Sequence, residues 1–200
     1  VNLAQGELVL DNMIKKIKDF WNAEEFQLSN YQQKCMLIRG WDEMMTKIED
    51  DLAQITSMKL SQHFKTFEED VKSWNDKLVT LQATLDVWVN VQRKWVYLEG
   101  IFLGSSDIAQ QLPNEYAKFK SIDNDFVSLM KKTANKLKVL DVVLNTPNLQ
   151  KSLQLLYDSL EKIQKKLSEY LETQRQLFSR FYFVGDEDLL EIMGNSKEVT

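Results

Sequence analysis

The sequence has few of the residues that interrupt regular structure or carry chemistry: two prolines, six glycines, one cysteine and one histidine in 200 residues. Few glycines and prolines favour long regular elements. The single cysteine, Cys35, excludes a disulfide within the chain, which fits a reducing compartment; we interpret it as a buried small hydrophobe. The single histidine, His63, is interpreted as a surface or helix-start residue, and any catalytic relay or metal cluster that needs histidine would have to use it.

Long apolar runs are also missing. No stretch approaches the roughly 20 apolar residues of a membrane helix, and the N-terminus lacks the basic start and apolar core of a signal peptide. With 44% hydrophobic and 28% charged residues, the composition fits neither a disordered nor a membrane-spanning chain. The net charge of −5 comes from interleaved charges without a basic patch, which argues against nucleic-acid binding. Because the sequence starts at Val1, we expect an excerpt of a longer protein.

A long periodic stretch dominates the chain and predicts one helix over residues 61–103, with Ser61 as its N-cap. Its apolar residues recur mostly at spacings of three and four, as one buried side of a helix requires. This core row consists of Val71, Trp74, Leu78, Leu81, Leu85, Trp88, Trp95 and Phe102. Such a helix would be roughly 65 Å long, whereas a compact domain of this chain length is roughly 43 Å across. Either the helix breaks near 68–70 or the protein is an elongated array of helical bundles, which we favour.

The other elements are expected to be mostly helical, so the predicted fold class is mainly α with a minor β-hairpin. Further helices are predicted over 7–22, 41–56, 113–131, 147–175 and 187–193. Alternating apolar residues predict a hairpin over 24–39, and an aromatic run predicts a short strand over 181–184. Residues 131–138 are polar and predict a loop or a frayed helix end, while Gly100 and Gly104 mark the end of the long helix.

Motifs that would carry chemistry are absent from the sequence. It has neither a G-x-x-x-x-G-K-[ST] phosphate loop nor a G-x-G-x-x-G turn. Successive carboxylates in the acidic runs 68–70 and 186–188 point in different directions on a helix, which favours solvated faces or helix starts over a metal site. Tryptophans of the long helix recur at multiples of seven residues, which favours core packing over a ligand cage. We therefore expect no catalytic, cofactor or metal site in this segment.

One stretch inside the long helix has a distinctive sequence motif. Residues 88–102, WVNVQRKWVYLEGIF, strongly resemble the W-x-x-V-Q-R-x-W-x-Y-L-E-x-I-F stretch of dynein heavy chains. The motif residues are Gln92, Arg93, Tyr97, Leu98, Glu99 and Ile101. Residues 170–192 also resemble that family, and the wording after Gly185 looks more like the cytoplasmic than the axonemal branch. One departure is Ser179, where the family usually has proline.

The resemblance implies a place and a role. In that family this region is the linker, a helical lever between the cargo-binding tail and the ATPase ring, whose bending and straightening is the power stroke on microtubules. The implied partners are the motor ring of the same heavy chain, microtubules, dynein subunits and regulators, with no nucleic acid and no membrane. The implied location is the cytoplasm, on the microtubule cytoskeleton. ATP and Mg belong, by the same resemblance, to the parent motor ring and not to this segment.

Two questions stay open at this point. The hinge of such a lever is expected at residues 100–106, which include Gly100 and Gly104, ahead of 131–138. The rival function is a spectrin-like or tether-type helical scaffold that binds partner proteins, because long helices and mixed charge suit it equally. The Gln92-Arg93 pair within an otherwise apolar stretch favours the dynein resemblance, since a generic bundle has no reason for it.

Overall fold

The structure is a computed structural model that describes residues 2–104 and 106–195. The expected fold class, mainly α with a minor β-hairpin, is confirmed. The strands are β1 Gln27–Tyr31 and β2 Cys35–Arg39. The helices are α1 Asn2–Ala23, α2 Trp41–Lys59, α3 Phe64–Gly104, α4 Ser106–Gln111, α5 Pro113–Lys136, α6 Val139–Asn145, α7 Leu149–Leu177 and α8 Asp186–Asn195.

The chain divides into two compact units. Unit 1 contains the residues up to 89 and residues 129–152, whereas unit 2 contains residues 90–128 and those from 153 onward. The helices α3, α5 and α7 contribute residues to both units. Each unit has its own buried apolar residues, so each is described by itself below.

Unit 1 buries one side of each of its long helices. The apolar residues of α1 and α2 recur at helical spacing, and their inward sides exclude water. The buried set is Leu10, Ile14, Ile17 and Trp21 in α1, and Met44, Ile48, Ile55 and Met58 in α2. The core-row residues of α3 in this unit, from Val71 to Trp88, are at most 4% exposed. Burying each such side chain contributes about 1.5–3 kcal/mol, so these sides hold the helices together.

The hairpin forms without an Asn-Gly turn. The strands β1 and β2 pair antiparallel, with Leu28 opposite Ile38 and Tyr31 opposite Cys35. At the turn the N–H of Lys34 donates to the carbonyl of Tyr31 at 2.9 Å. Two glutamines in the turn have φ values of 49° and 60°, the sign that type I′ turns require, although glutamine rarely adopts it. Burial of Cys35, Leu37 and Ile38 on β2 holds the hairpin in place despite this local strain.

Residues 131–138 were predicted as a loop or a frayed helix end, and the helix before them was predicted to end at residue 131. The loop and that end are wrong for residues 131–136, because α5 continues to Lys136. Thr133 is 2% exposed, and its hydroxyl donates to the Leu129 carbonyl at 3.0 Å, which satisfies this polar group inside unit 1.

Beyond α5, the chain pairs with the residues that lead into β1. The N–H of Phe26 donates to the Leu137 carbonyl at 2.9 Å, and the N–H of Val139 donates to the Glu24 carbonyl at 3.1 Å.

Unit 2 packs aromatic rings of α3 against α5. The rings of Trp95 and Phe126 have centroids 4.7 Å apart, and Phe102 stacks on Phe119 at 5.3 Å. Both core-row residues of this unit, Trp95 and Phe102, are at most 2% exposed. The α7 part of this core is supplied at helical spacing by Leu153, Leu160, Ile163, Leu167 and Leu171.

Four helix starts and one strand differ from the sequence-based expectations. The first helix starts at Asn2 instead of residue 7, since Gly6 does not interrupt it, and α8 starts at Asp186 instead of residue 187. The long helix starts at Phe64 instead of Ser61, and α7 starts at Leu149 instead of residue 147, because the preceding residues form hydrogen-bonded turns. The predicted strand over 181–184 is wrong. That segment continues a 3₁₀ turn, Ser179–Phe181, with Tyr182 and Phe183 67% and 95% exposed. A strand needs a ladder partner, and the two described strands pair with each other in unit 1.

Candidate functional site

The dynein-like motif lies on the unit 2 part of α3, and its polar residues are not all on the surface. Gln92 is 9% exposed and Glu99 is 1% exposed, and both interact with other groups of the fold. Leu98 is fully buried, while Tyr97 and Ile101 are half-buried and Arg93 is exposed. Helical geometry explains the mixture, because positions 92, 95 and 99 share one side of the helix. The motif therefore combines a buried side containing polar groups with an exposed guanidinium.

Polar contacts fasten this part of α3 to its neighbours in unit 2. The indole Nε1 of Trp95 donates to Asp123 Oδ1 on α5 at 3.0 Å. Lys94 Nζ lies 2.5 Å from Glu161 Oε2 and donates to Gln164 Oε1 on α7 at 2.7 Å. With its side chain only 20% exposed, Lys94 fixes α3 relative to α7 more firmly than a surface pair would.

In unit 1 the indoles of Trp88 and Trp21 have different environments. Trp88 is fully buried and packs against Phe26 at a centroid distance of 5.6 Å and against Trp41 at 6.5 Å. Its Nε1 has no hydrogen-bond acceptor in the described structure. Trp21 Nε1 instead donates to Asp51 Oδ2 at 2.8 Å, and Asp51 is fully buried. This carboxylate is satisfied on its other oxygen by Lys47 Nζ at 2.5 Å.

A cluster around Arg175 fixes the turn that follows α7 in unit 2. Arg175 Nε donates to the Val184 carbonyl at 2.9 Å, and its Nη2 contacts the Asp186 carboxylate at the start of α8. The Arg175 side chain is 14% exposed, so water competes weakly for these contacts. The three-way contact holds residues 178–185 between two helices.

A groove lies beside this turn, among α4, the C-terminal end of α7 and α8. Ile108, Phe181 and Leu189 line its apolar part, and Tyr170 also borders it. Burial raises the pKa of Tyr170 above its usual value, and the Asp107 carboxylate raises it further. Burial raises the pKa of Tyr97 as well, with Asp186 and Glu187 as additional causes. Burial is the larger cause in both cases, and the carboxylates add to it.

The predicted hinge residues lie at the end of α3. Gly100 is inside the helix and exposed, whereas Gly104 is its last residue. A Cβ added at either glycine would meet no atom within 4 Å, so neither position requires glycine for space. Residue 105, which belongs to the predicted hinge, lies outside the described residues.

The candidate chemical residues are dispersed. His63 precedes α3 and lies against Gly6 of α1, where an added Cβ would be 2.5 Å from the imidazole Nε2. Cys35 is buried on β2. Among the described residues, no three or more His, Cys, Asp or Glu side chains are grouped so that they could hold a metal ion. Helices long and apolar enough to cross a membrane are likewise absent from the described part of the chain.

Sequence reasoning missed the polar residues that form hydrogen bonds or ion pairs with other elements, above all Asp51, Lys94 and Arg175. For Asp51 a signal was present, because it lies three residues after Ile48 and four before Ile55, both fully buried. Leu52 has the same spacing from Ile48 and Ile55 and, as an apolar residue, was the expected core residue, but it is only half-buried. The partners of Lys94 and Arg175 lie on other elements, and local spacing carries no signal for them.

These features define a protein of helical bundles whose apolar cores contain a few satisfied polar contacts. The family model described as dynein heavy chain, N-terminal region 2, matches residues 1–200. The chain therefore belongs to the dynein heavy chain family, as its motif predicted.

Individual relatives favour the cytoplasmic type. The chain is 58% identical over 200 residues, 100% of its length, to the cytoplasmic dynein heavy chain of Paramecium tetraurelia. It is 52% identical over 197 residues, 98% of its length, to the cytoplasmic dynein heavy chain of Drosophila melanogaster. It is 40% identical over 198 residues, again 98% of the chain, to the dynein-1-beta heavy chain of the flagellar inner arm I1 complex of Chlamydomonas reinhardtii. The chain spans 4% of the length of each of these relatives.

Proposed function

We propose that this chain is part of the linker of a cytoplasmic dynein heavy chain, a mechanical lever that bends and straightens with the nucleotide state of a motor ring. In this proposal the ring of the same heavy chain is its main partner. Microtubules, dynein subunits and regulators engage the parent protein, which works in the cytoplasm as a microtubule-stimulated ATPase. The segment itself transmits movement and carries out no catalysis.

The observation that carries the proposal is α3, which runs without a break over 41 residues. At 1.5 Å per residue this helix is about 60 Å long. Its core-row residues are at most 4% exposed along the whole row, in unit 1 and in unit 2. A helix with one side packed throughout resists bending, because each local bend would open apolar surface to water.

Side-chain contacts add stiffness within unit 2. Lys94 and Trp95 hold α3 to two other helices through partly buried hydrogen bonds. Packed interfaces of this kind change between discrete arrangements and do not stretch continuously, which suits a two-position lever. The hinge is proposed at the end of α3, where Gly100 weakens the last turns of the helix by about 1 kcal/mol relative to alanine.

The residues of this chain do not fit the ATP and Mg of the parent ring. Phosphate binding needs a glycine-rich turn of stacked N–H groups, and the sequence has none. Clustered acidic ligands are also lacking in residues 2–104 and 106–195. Nucleotide binding and hydrolysis therefore belong to other parts of the parent heavy chain.

A helix break in α3 tests the lever. Val79 is 48% exposed in the middle of α3, so Val79→Pro breaks a backbone hydrogen bond and introduces a clash without removing a core side chain. Val79→Ala is the matched control. In the full-length motor we expect Val79→Pro to keep basal ATPase activity within about twofold while microtubule gliding slows by about fivefold or more, because the ring cycles without its stiff lever.

The outcome separates the two candidate functions. Equal gliding velocities for Val79→Pro and Val79→Ala, with limited proteolysis showing that α3 has opened, would contradict the lever. A binding scaffold predicts a different pattern, in which the proline variant loses associated subunits and the velocity per bound motor is unchanged. Slow gliding with the full set of subunits retained supports the lever.

A further inference from the structure

In unit 2 the chain passes from α7 to α8 through a turn with little regular structure of its own. Between Leu177 and Asp186 it forms one 3₁₀ turn, Ser179–Phe181, followed by a turn in which the N–H of Val184 donates to the Phe181 carbonyl at 3.0 Å. Backbone of this kind bends more easily than an α-helix, and short 3₁₀ segments often act as hinges. Held by its backbone alone, this turn would let α8 change direction relative to α7.

One side chain spans the turn. Arg175, in the last turn of α7, donates from Nε to the Val184 carbonyl at 2.9 Å and from Nη2 to the carboxylate of Asp186, the first residue of α8. A guanidinium is planar and its N–H groups point in fixed directions, so two acceptors bound by it are held in a fixed position relative to α7. Because the Arg175 side chain is only 14% exposed, water and salt weaken these contacts less than those of a surface pair.

The start of α8 is also close to α3. Burial raises the pKa of Tyr97 on α3, and Asp186 and Glu187 raise it further. The Asp186 carboxylate is therefore near both the Tyr97 phenol and the Arg175 guanidinium. Of these two neighbours, Arg175 has the charge opposite to that of Asp186, so it provides the stronger attraction.

A lever bends at a defined hinge only if its other helix junctions are stiff, because a soft junction would absorb the movement instead of passing it on. We propose that Arg175 is the positioning residue that makes the junction of α7 and α8 a stiff joint, so that movement of α7 is passed on to α8. Bending is then left to the hinge at the end of α3. This inference rests on the proposed lever function, and it assigns to Arg175 a role that the lever function alone does not specify.

Matched variants of the full-length motor test the joint. Arg175→Gln removes the guanidinium and its contacts with Val184 and Asp186. Glu172→Gln is the control, because Glu172 contacts the same guanidinium, 3.4 Å from Nη1, but lies on α7 and does not connect it to α8. Arg175→Lys keeps the charge without the planar set of donors. Thermal unfolding shows that each variant is folded.

Hydrogen exchange, followed by mass spectrometry on overlapping peptides within residues 178–192, reports the state of the joint. We expect exchange at the hydrogen-bonded amides of Val184 and Leu189 to be about tenfold faster in Arg175→Gln, because two contacts with a charged group are lost. The change in Glu172→Gln should stay below about twofold, and Arg175→Lys should lie between the two. Equal exchange in Arg175→Gln and Glu172→Gln would overturn the proposal.

Microtubule gliding and ATPase activity of the same variants test what the joint does. We expect Arg175→Gln to keep basal ATPase activity within about twofold and to slow gliding by about threefold, with Glu172→Gln close to the parent. Faster exchange in Arg175→Gln with unchanged gliding would also overturn the proposal. Val79→Pro then shows which idea has failed. If Val79→Pro still slows gliding, the lever stands without a need for the joint; if it does not, the lever is wrong and the joint falls with it.

Discussion

Two tryptophans of α3 offer a matched test of what one buried hydrogen bond contributes. Trp88 and Trp95 are seven residues apart, and both are fully buried. The Nε1 of Trp95 donates to Asp123 at 3.0 Å, whereas the Nε1 of Trp88 has no acceptor in the described structure. Replacing each tryptophan with phenylalanine removes a similar part of a buried ring and differs mainly in the hydrogen bond.

The expected difference follows from the environment of each N–H. Trp88→Phe loses about 1–2 kcal/mol of packing, but it also removes a buried donor that lacks a partner, which offsets part of that loss. Trp95→Phe has the same packing loss and also breaks a hydrogen bond to a carboxylate, a bond that typically contributes about 1.5–3 kcal/mol. Because Asp123 is only half-buried, we expect the lower part of that range. Trp95→Phe should therefore be more destabilising than Trp88→Phe by at least about 1.5 kcal/mol.

Urea unfolding of the 200-residue chain, followed by circular dichroism, measures the two costs. The double variant Trp95→Phe with Asp123→Ala supplies the cycle that isolates the hydrogen bond. A coupling energy of about 1.5–2 kcal/mol between the two positions is expected. Equal destabilisation by both tryptophan variants, or a larger loss for Trp88→Phe, would refute the assignment of these two indoles.

Three further predictions concern unit 1. Asp51→Ala should destabilise the chain by about 3–5 kcal/mol in urea unfolding, because it leaves the buried Trp21 N–H without its acceptor; a change below about 1 kcal/mol would contradict this network. Burial first, and then Glu25, raise the pKa of Glu24, so its ionised form is disfavoured in the folded state. Glu24→Gln should therefore be more stable than the parent at pH 7, and this advantage should vanish as the pH falls to the unfolded-state pKa; a pH-independent difference argues against it. Gly6→Ala should raise the free energy of unfolding by about 1 kcal/mol, through helix propensity, only when it is combined with His63→Ala, because an added Cβ would be 2.5 Å from the imidazole. An equal gain with and without His63→Ala would show that the ring moves freely.

The long helices could be predicted because their signal is periodic and local. Spacings of three and four predicted α3 and its core row with a start only three residues from the observed one. The hairpin was also predicted, since alternation and a change of period do not require a particular turn sequence. The run at 181–184 misled the prediction because aromatic residues favour strands only where a partner strand exists.

The polar contacts between elements lay beyond sequence reasoning for a different reason. Lys94 and Arg175 are charged residues on amphipathic helices, and such residues are usually solvated. Their burial depends on partners 67 and 11 residues away, at Glu161 and Asp186, which only the folded chain brings together. The groove beside the turn after α7 has the same origin, because its lining comes from α4, α7, α8 and a turn that was partly predicted as a strand.

The most direct test of the lever proposal is fluorescence energy transfer in the full-length motor. A donor dye is attached through an unnatural amino acid at position 162, where Lys162 is an exposed residue of α7. An acceptor dye is attached to the motor ring. The lever account predicts that transfer efficiency differs between nucleotide-free, ATP-bound and ADP·vanadate states, and that Val79→Pro reduces this difference. Identical efficiency in all three states, in a motor that still moves microtubules, would contradict it.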